Sequence, residues 1–294
     1  MPYKTTYLIS GSLKVLITIF CLGFIGYSLV QEWPTFIELF HLAIVGKNHL
    51  LILLIFLILG LCSWFCEAKK WQSLVLSLDL ITLLESLKQS LAAQSAALMS
   101  PARVGEFFIK PFFYGKQQRK TIVGLSILNN LLQLWVTVIM GIIGWAFYPK
   151  QITELFSKAL LIFILLGILV GIVLLVFKRF KTLKLPATRY FIYGSVWASL
   201  KYGCFATQFL LLLHLSGNRI VLGVIAACLL VYLLASLVPV IQAFDAAVKT
   251  GIGILLFQNL GIDAASVLFA GFGVWLFNQA LPATLGLMYI PKAR

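Results

Sequence analysis

Residues 50–65 read LLILLIFLILGLCSWF, sixteen positions without a charge. A helix needs about 20 mostly apolar residues to cross the hydrocarbon core of a bilayer. Leu160 to Phe177, Phe191 to Leu213 and Ile220 to Val238 repeat the pattern. A water-soluble fold has no way to hide so many long apolar runs. Composition agrees: 61% of the 294 residues are hydrophobic and 11% charged, against roughly 25% charged in soluble domains. The sequence therefore predicts an all-α, polytopic integral membrane helical bundle forming one transmembrane domain over 1–294.

Expected spans run 7–30, 49–67, 122–147, 157–177, 191–213, 220–238 and 264–290. Residues 7–30 carry Lys14 and lack a small-x-small cleavage site. They are also long for a signal h-region, and read as a retained first span with a cleaved signal as the alternative. Two further segments, 74–120 and 236–261, are broken and more polar, which brings the expected total to about 7–8 spans.

The net charge is +14, from 23 Lys and Arg against 9 Asp and Glu. The bases fall in short connections between apolar runs, as the positive-inside rule describes. Lys178, Arg179, Lys181, Lys184 and Arg189 mark the best cytoplasmic loop. Lys69–Lys70 and 103–120 read as further basic connections. All three share one face only if 74–100 is re-entrant; a conventional span is the alternative. No run resembles a nucleic-acid-binding module. Membrane lipids with anionic headgroups are the expected partners, and no protein partner is legible.

Ionisable groups at membrane depth are the informative ones. After Pro101, Glu106 precedes Lys110 by four residues; after Pro239, Asp245 precedes Lys249 by four. That spacing puts each acid and base on one helix face. Each segment sits near the end of one half of the chain (1–150 and 151–294), so an internal repeat is possible. Short Pro/Gly-interrupted segments in corresponding halves point to a transporter binding site. The expected helix breaks are Pro101, Gly105, Pro239 and Gly251. The lipid-contact candidates are Arg103, Glu106, Lys110, Asp245 and Lys249, with Arg103 matching phosphate in bidentate fashion and Glu106 orienting it. An interfacial salt bridge that ends a helix is the plainer reading of each pair. Asn129, Asn130, Gln133, Asn278 and Gln279 read as helix–helix hydrogen-bonding groups. Trp33, Trp71, Tyr114, Tyr148 and Tyr190 read as interfacial belt residues.

The five cysteines lie within apolar spans, and none has the partners of a metal site. His41, His49 and His214 have no carboxylate or second histidine at metal-site spacing. No metal and no cofactor are expected. There is no nucleophile elbow, no Gly-rich phosphate loop and no Asp-x-x-Asp pair, so catalysis has no motif to support it.

Pro101, Arg103, Gly105 and Glu106, with Ala102 between, resemble the Pro-Gly-Arg-x-Gly-Glu motif of the lysylphosphatidylglycerol synthase transmembrane-region family, the flippase-like domain. Pro239, Asp245, Lys249 and Gly251, followed by Leu260-Gly261-Ile262, are similar to its second motif, without the paired glycines usual there. The resemblance implies a membrane domain that moves or exposes phospholipids. It also implies that a chain ending at Arg294 lacks the family's soluble aminoacyl-transferase domain and does not make aminoacylated lipids by itself.

The expectation is therefore a multi-pass protein of a prokaryotic inner membrane that binds and translocates a phospholipid or lipid-linked molecule. A lipid-modifying transferase using Glu106 as base, and a non-catalytic anchoring subunit, are the alternatives.

Overall fold

The computed structural model describes residue 37 and residues 47–76, 78–100, 103–149, 188–238 and 240–291. It is helical throughout, with no strand among the described residues. We label the helices α1 (Lys47–Val75), α2 (Leu83–Leu98), α3 (Gly105–Ile109), α4 (Arg119–Phe147), α5 (Thr188–Leu215), α6 (Leu222–Leu237), α7 (Asp245–Gln258), α8 (Ala264–Trp275) and α9 (Leu281–Gly286). A 3-10 turn, Lys110–Phe113, extends α3, and another, Gln242–Phe244, precedes α7. A π-helical segment, Leu276–Ala280, joins α8 to α9.

Four helices are long and apolar enough to cross a membrane: Leu50–Val75, Arg119–Phe147, Arg189–Leu215 and Ala264–Tyr289. Leu222–Leu237 is apolar but shorter. The chain is a multi-pass membrane protein on this evidence. The expected spans 7–30 and 157–177, and the basic cluster from Lys178 to Lys184, lie outside the described residues.

Antiparallel neighbours build the bundle. The α1–α5 pair is fixed by Gln208, whose Nε2 donates to the Phe56 carbonyl at 2.8 Å, and by an edge-on contact between Phe65 and Trp197. Where α4 meets α6, a Cβ on Gly141 would fall 2.4 Å from Leu233 and one on Gly144 2.8 Å from the Ala226 carbonyl. Small residues of this kind let membrane helices approach closely, because lipid supplies no hydrophobic force between them. The α7–α8 hairpin turns at Gly261, whose φ of 74° suits glycine, and Asp263 caps α8 by accepting from the Ser266 amide.

α2 departs from this pattern. Its 16 residues span about 24 Å, short of a hydrocarbon core of about 30 Å. A capping box opens it: the Glu85 amide donates to Thr82 Oγ1, and Glu85 Oε2 accepts from the Thr82 amide. Its buried face is polar, with Ser86, Gln89, Ser90, Gln94 and Ser95. Ser86 Oγ donates to the Ala68 carbonyl of α1, and Ser95 Oγ to the Ala283 carbonyl of α9. Protein therefore walls α2 on two sides, the condition under which a short polar segment is tolerated at membrane depth.

Three expectations are corrected here. The helix expected over 49–67 does not end near residue 67; α1 runs to Val75, so Lys69 and Lys70 are helical and not a loop. Lys70 is buried because Glu67, one turn earlier, meets its charge at 2.8 Å. Trp71, Tyr114 and Tyr148 are core residues, 0%, 7% and 4% exposed, and not a belt; the indole and phenol groups all find buried acceptors. Gly251 does not break a helix but lies inside α7, and Gly105 opens α3. Pro101 and Pro239 lie outside the described residues, though α2 ends at Leu98 and α6 at Leu237, just before each.

Candidate anion site at the first helix break

Beyond Leu98 the chain turns through Arg103, whose φ of 60° is left-handed, a region non-glycine residues rarely adopt. The Gly105 amide donates to Ser100 Oγ at 2.8 Å. A Cβ on Gly105 would sit 2.2 Å from the Ala96 carbonyl, so only glycine lets α3 fold back this tightly on α2. This packing drives Glu106 and Lys110 inward, to 2% and 0% exposure.

The i,i+4 spacing then closes a buried pair, Lys110 Nζ donating to Glu106 Oε1 at 2.5 Å. Arg103 Nη2 lies 3.6 Å from Glu106 Oε2 and donates to Gln94 Oε1 at 3.2 Å. The Lys110 ammonium sits 3.9 Å over the centre of the Trp71 ring, a contact worth about 2 kcal/mol when desolvated. Gln89 Oε1 holds that ring by accepting from Trp71 Nε1 at 2.7 Å, and also accepts from the Tyr114 hydroxyl at 2.8 Å. Burial pushes the Tyr114 phenol up to about 12, so it remains a donor. Gln89 also lines a cavity of about 430 Å³ between the start of α2 and the turn at 113–118.

A second set adjoins the first on the other side of Trp71. Glu67 Oε2 accepts from Lys70 at 2.8 Å and from Lys201 at 2.6 Å, and Oε1 accepts from Asn129 Nδ2 at 3.0 Å. Lys70 also donates to Gln133 Oε1. α1, α4 and α5 thus meet at one carboxylate. The two sets are electrostatically one: Lys110 acts on Glu67, and Glu106 on Lys70. Among the described residues the network holds four cations, Arg103, Lys110, Lys70 and Lys201, against two carboxylates, Glu106 and Glu67. Taking ions out of water costs several kcal/mol each unless they are paired. A surplus of two positive charges favours an anion as its counterpart.

The second break is built differently. Lys249 Nζ donates to Asp245 Oδ2 at 2.5 Å, and Gln279 Nε2, from the π-helical segment, donates to the same oxygen at 2.6 Å. The Lys249 ammonium is 5.2 Å from the centre of the Tyr232 ring. This pair is charge-balanced and its side chains are about a fifth exposed.

The break segments do not share a hydrogen bond or ion pair among the described residues, yet both flank α2, which packs against α3, the Gln242–Phe244 turn and the Leu276–Ala280 segment. Ser95 bonds Ala283, and Gly286 abuts Leu91. This antiparallel packing runs the Leu276–Ala280 segment toward the C-terminal end of α2, where the break that leads to Arg103 begins.

Of the predicted residues, Arg103, Glu106 and Lys110 converge, and Asp245 and Lys249 form a separate pair. Asn129, Gln133, Asn278 and Gln279 make the expected interhelical hydrogen bonds. Glu67 and Lys201 were not anticipated. Their signal was present: Glu67 and Lys70 have i,i+3 spacing, and Lys201 stands twelve residues from Arg189 and fourteen from Leu215 in an apolar span. No group of three His, Cys, Asp or Glu side chains is placed to hold a metal ion among the described residues. No known protein family matches the chain, and neither does any curated protein or solved structure.

Proposed function

We propose that this protein binds the anionic headgroup of a phospholipid or lipid-linked molecule at the first helix break and carries it across a prokaryotic inner membrane. The observation that carries the reading is the network of four cations and two carboxylates, largely buried apart from Arg103, which sits where α2 ends and the backbone leaves helical geometry. Broken helices at membrane depth are the usual place for transporter sites. The flippase-like resemblance of Pro101, Arg103, Gly105 and Glu106 points the same way.

Arg103 makes first contact. Its side chain is 38% exposed while its acid partner is 2% exposed, so the guanidinium has a free edge for a phosphate. Glu106 does not serve as a base in this scheme; its carboxylate is engaged by Lys110 and Arg103. Lys110, Lys70 and Lys201 supply a fixed positive field behind Arg103, strongest where water is excluded. The cavity bounded by Gln89 and Tyr114 also carries Asp79 and Glu85 against Lys88, so the anion reaches Arg103 from another side.

Reporter lipids with anionic and zwitterionic headgroups, followed in proteoliposomes, test this. Wild type should move the anionic reporter faster than protein-free vesicles, and Arg103→Gly, which leaves the Glu106–Lys110 pair intact, should not. No movement of any reporter by folded wild type would count against translocation.

A further inference from the structure

The polar atoms left without partners differ in kind at the two breaks. At the first, Ser90 Oγ, Gln94 Nε2 and Arg103 Nε are buried and have no hydrogen-bond partner among the described residues. Gln94 is 3% exposed and lies one helical turn from Ser90 on the buried face of α2. Its orientation is fixed, because its Oε1 accepts from Arg103, and the unused end is therefore the N–H end. Glu106 Oε2 is an unpartnered acceptor in this group and lies 3.6 Å from Arg103 Nη2, while the Ser90 hydroxyl can donate or accept.

At the second break the unused atoms are acceptors. Gln279 donates its Nε2 to Asp245, which leaves Gln279 Oε1 free of a partner. Gln242, 6% exposed and one turn before Asp245, has its Oε1 in the same state. The Trp275 indole donates to the Gln242 backbone carbonyl, so the two glutamines belong to one neighbourhood. A buried acceptor or donor without a partner costs free energy, and a native protein leaves such groups in place chiefly where a ligand, water or ion completes them.

We infer that the headgroup site is bipartite: the donors at the first break take a phosphate, and Gln242, Gln279 and Asp245 at the second take hydroxyl or ammonium donors on the far side of the same headgroup. This rests on the anionic-headgroup reading above and adds a specificity to it. Both the Gln242–Phe244 turn and the Leu276–Ala280 segment pack on α2, and the antiparallel run of α9 along α2 brings the latter toward the end at which the Arg103 turn begins. Phosphate esters whose headgroup ends in hydroxyls or a primary ammonium satisfy both sets. Those ending in a methyl or a quaternary ammonium leave the acceptors unpaired, and a site built to hydrogen-bond rejects the analogue that lacks the group.

Two lipid pairs separate the terms, read as stabilisation of the full chain against heat in detergent micelles doped with each lipid. Phosphatidylglycerol and phosphatidylmethanol carry the same charge, but only the first has free hydroxyls. Phosphatidylethanolamine and phosphatidylcholine are both zwitterionic, but only the first has N–H donors. Wild type should bind the donor-bearing member of each pair roughly tenfold more tightly. In Gln279→Met that preference should collapse while phosphatidylmethanol binding persists, which also shows the variant is folded; Gln242→Met should act alike. Equal binding within both pairs, or full discrimination retained in Gln279→Met, would overturn the bipartite site and leave the anion reading standing. Failure of both phosphatidylglycerol and phosphatidylmethanol to stabilise wild type would overturn both.

Discussion

The two helix breaks carry the same four-residue spacing from acid to lysine, and the same 2.5 Å ion pair forms in each. Their surroundings make them different objects. Glu106 and Lys110 are sealed beneath α2 and the Trp71 ring, whereas Asp245 and Lys249 remain partly open, with one amide and one phenol ring beside them. A shared sequence pattern fixes which atoms meet. Burial and the charges nearby decide whether the meeting is a neutral structural clasp or part of an anion site.

The comparison breaks most sharply on stability. Glu106→Gln leaves Lys110 uncompensated in the interior and should cost about 3–5 kcal/mol. Asp245→Asn, at a pair about a fifth exposed, should cost less than Glu106→Gln. Denaturant unfolding in mixed micelles checks both, and equal costs would mean the two pairs are alike after all. Next, Trp71→Leu removes the ring under Lys110 and should cost at least about 2 kcal/mol, with no counterpart of that size for the 5.2 Å contact at Tyr232.

Arg103→Gly separates binding from folding. It abolishes the guanidinium but relieves a left-handed φ, so the unfolding free energy should change by less than about 1 kcal/mol while anionic-lipid binding is lost. A parallel loss of stability and binding would assign Arg103 a structural role.

The smallest effect concerns the outer end of α2. The Thr82 amide and hydroxyl both donate to the Glu85 carboxylate and hold its pKa below the usual carboxylate range. A lowered folded pKa means that the capping contribution is complete above the unfolded value of about 4.3 and fades as pH falls through the folded one. The protection of the Thr82 amide against hydrogen exchange, relative to the intrinsic rate, should fall over that acidic window, and Thr82→Ala, which removes the hydroxyl and keeps the amide, should weaken the dependence.

The membrane class and four of the spans were legible because continuous apolar runs are long compared with any competing signal. The acid–lysine pairs were legible because helical spacing alone sets them. The central network was not. Lys70 read as a loop marker because Lys69–Lys70 follows an apolar run and precedes a tryptophan, the usual signature of a membrane edge. Only tertiary packing shows that Lys70 pairs with Glu67, a carboxylate that Asn129 and Lys201, from two other helices, also engage. Gly251 misled for a related reason: glycine costs a helix about 1 kcal/mol, too little to end one that packs well, as α7 does against α6 and α8.

The central claim is that a buried positive surplus takes an anionic headgroup. Native mass spectrometry of the wild-type chain, released from micelles holding equal amounts of phosphatidylglycerol and phosphatidylcholine, tests it most directly. The account predicts retained phosphatidylglycerol in clear excess, with the excess gone in Arg103→Gly. Equal retention of the two lipids by wild type, or an excess that survives in Arg103→Gly, would contradict it.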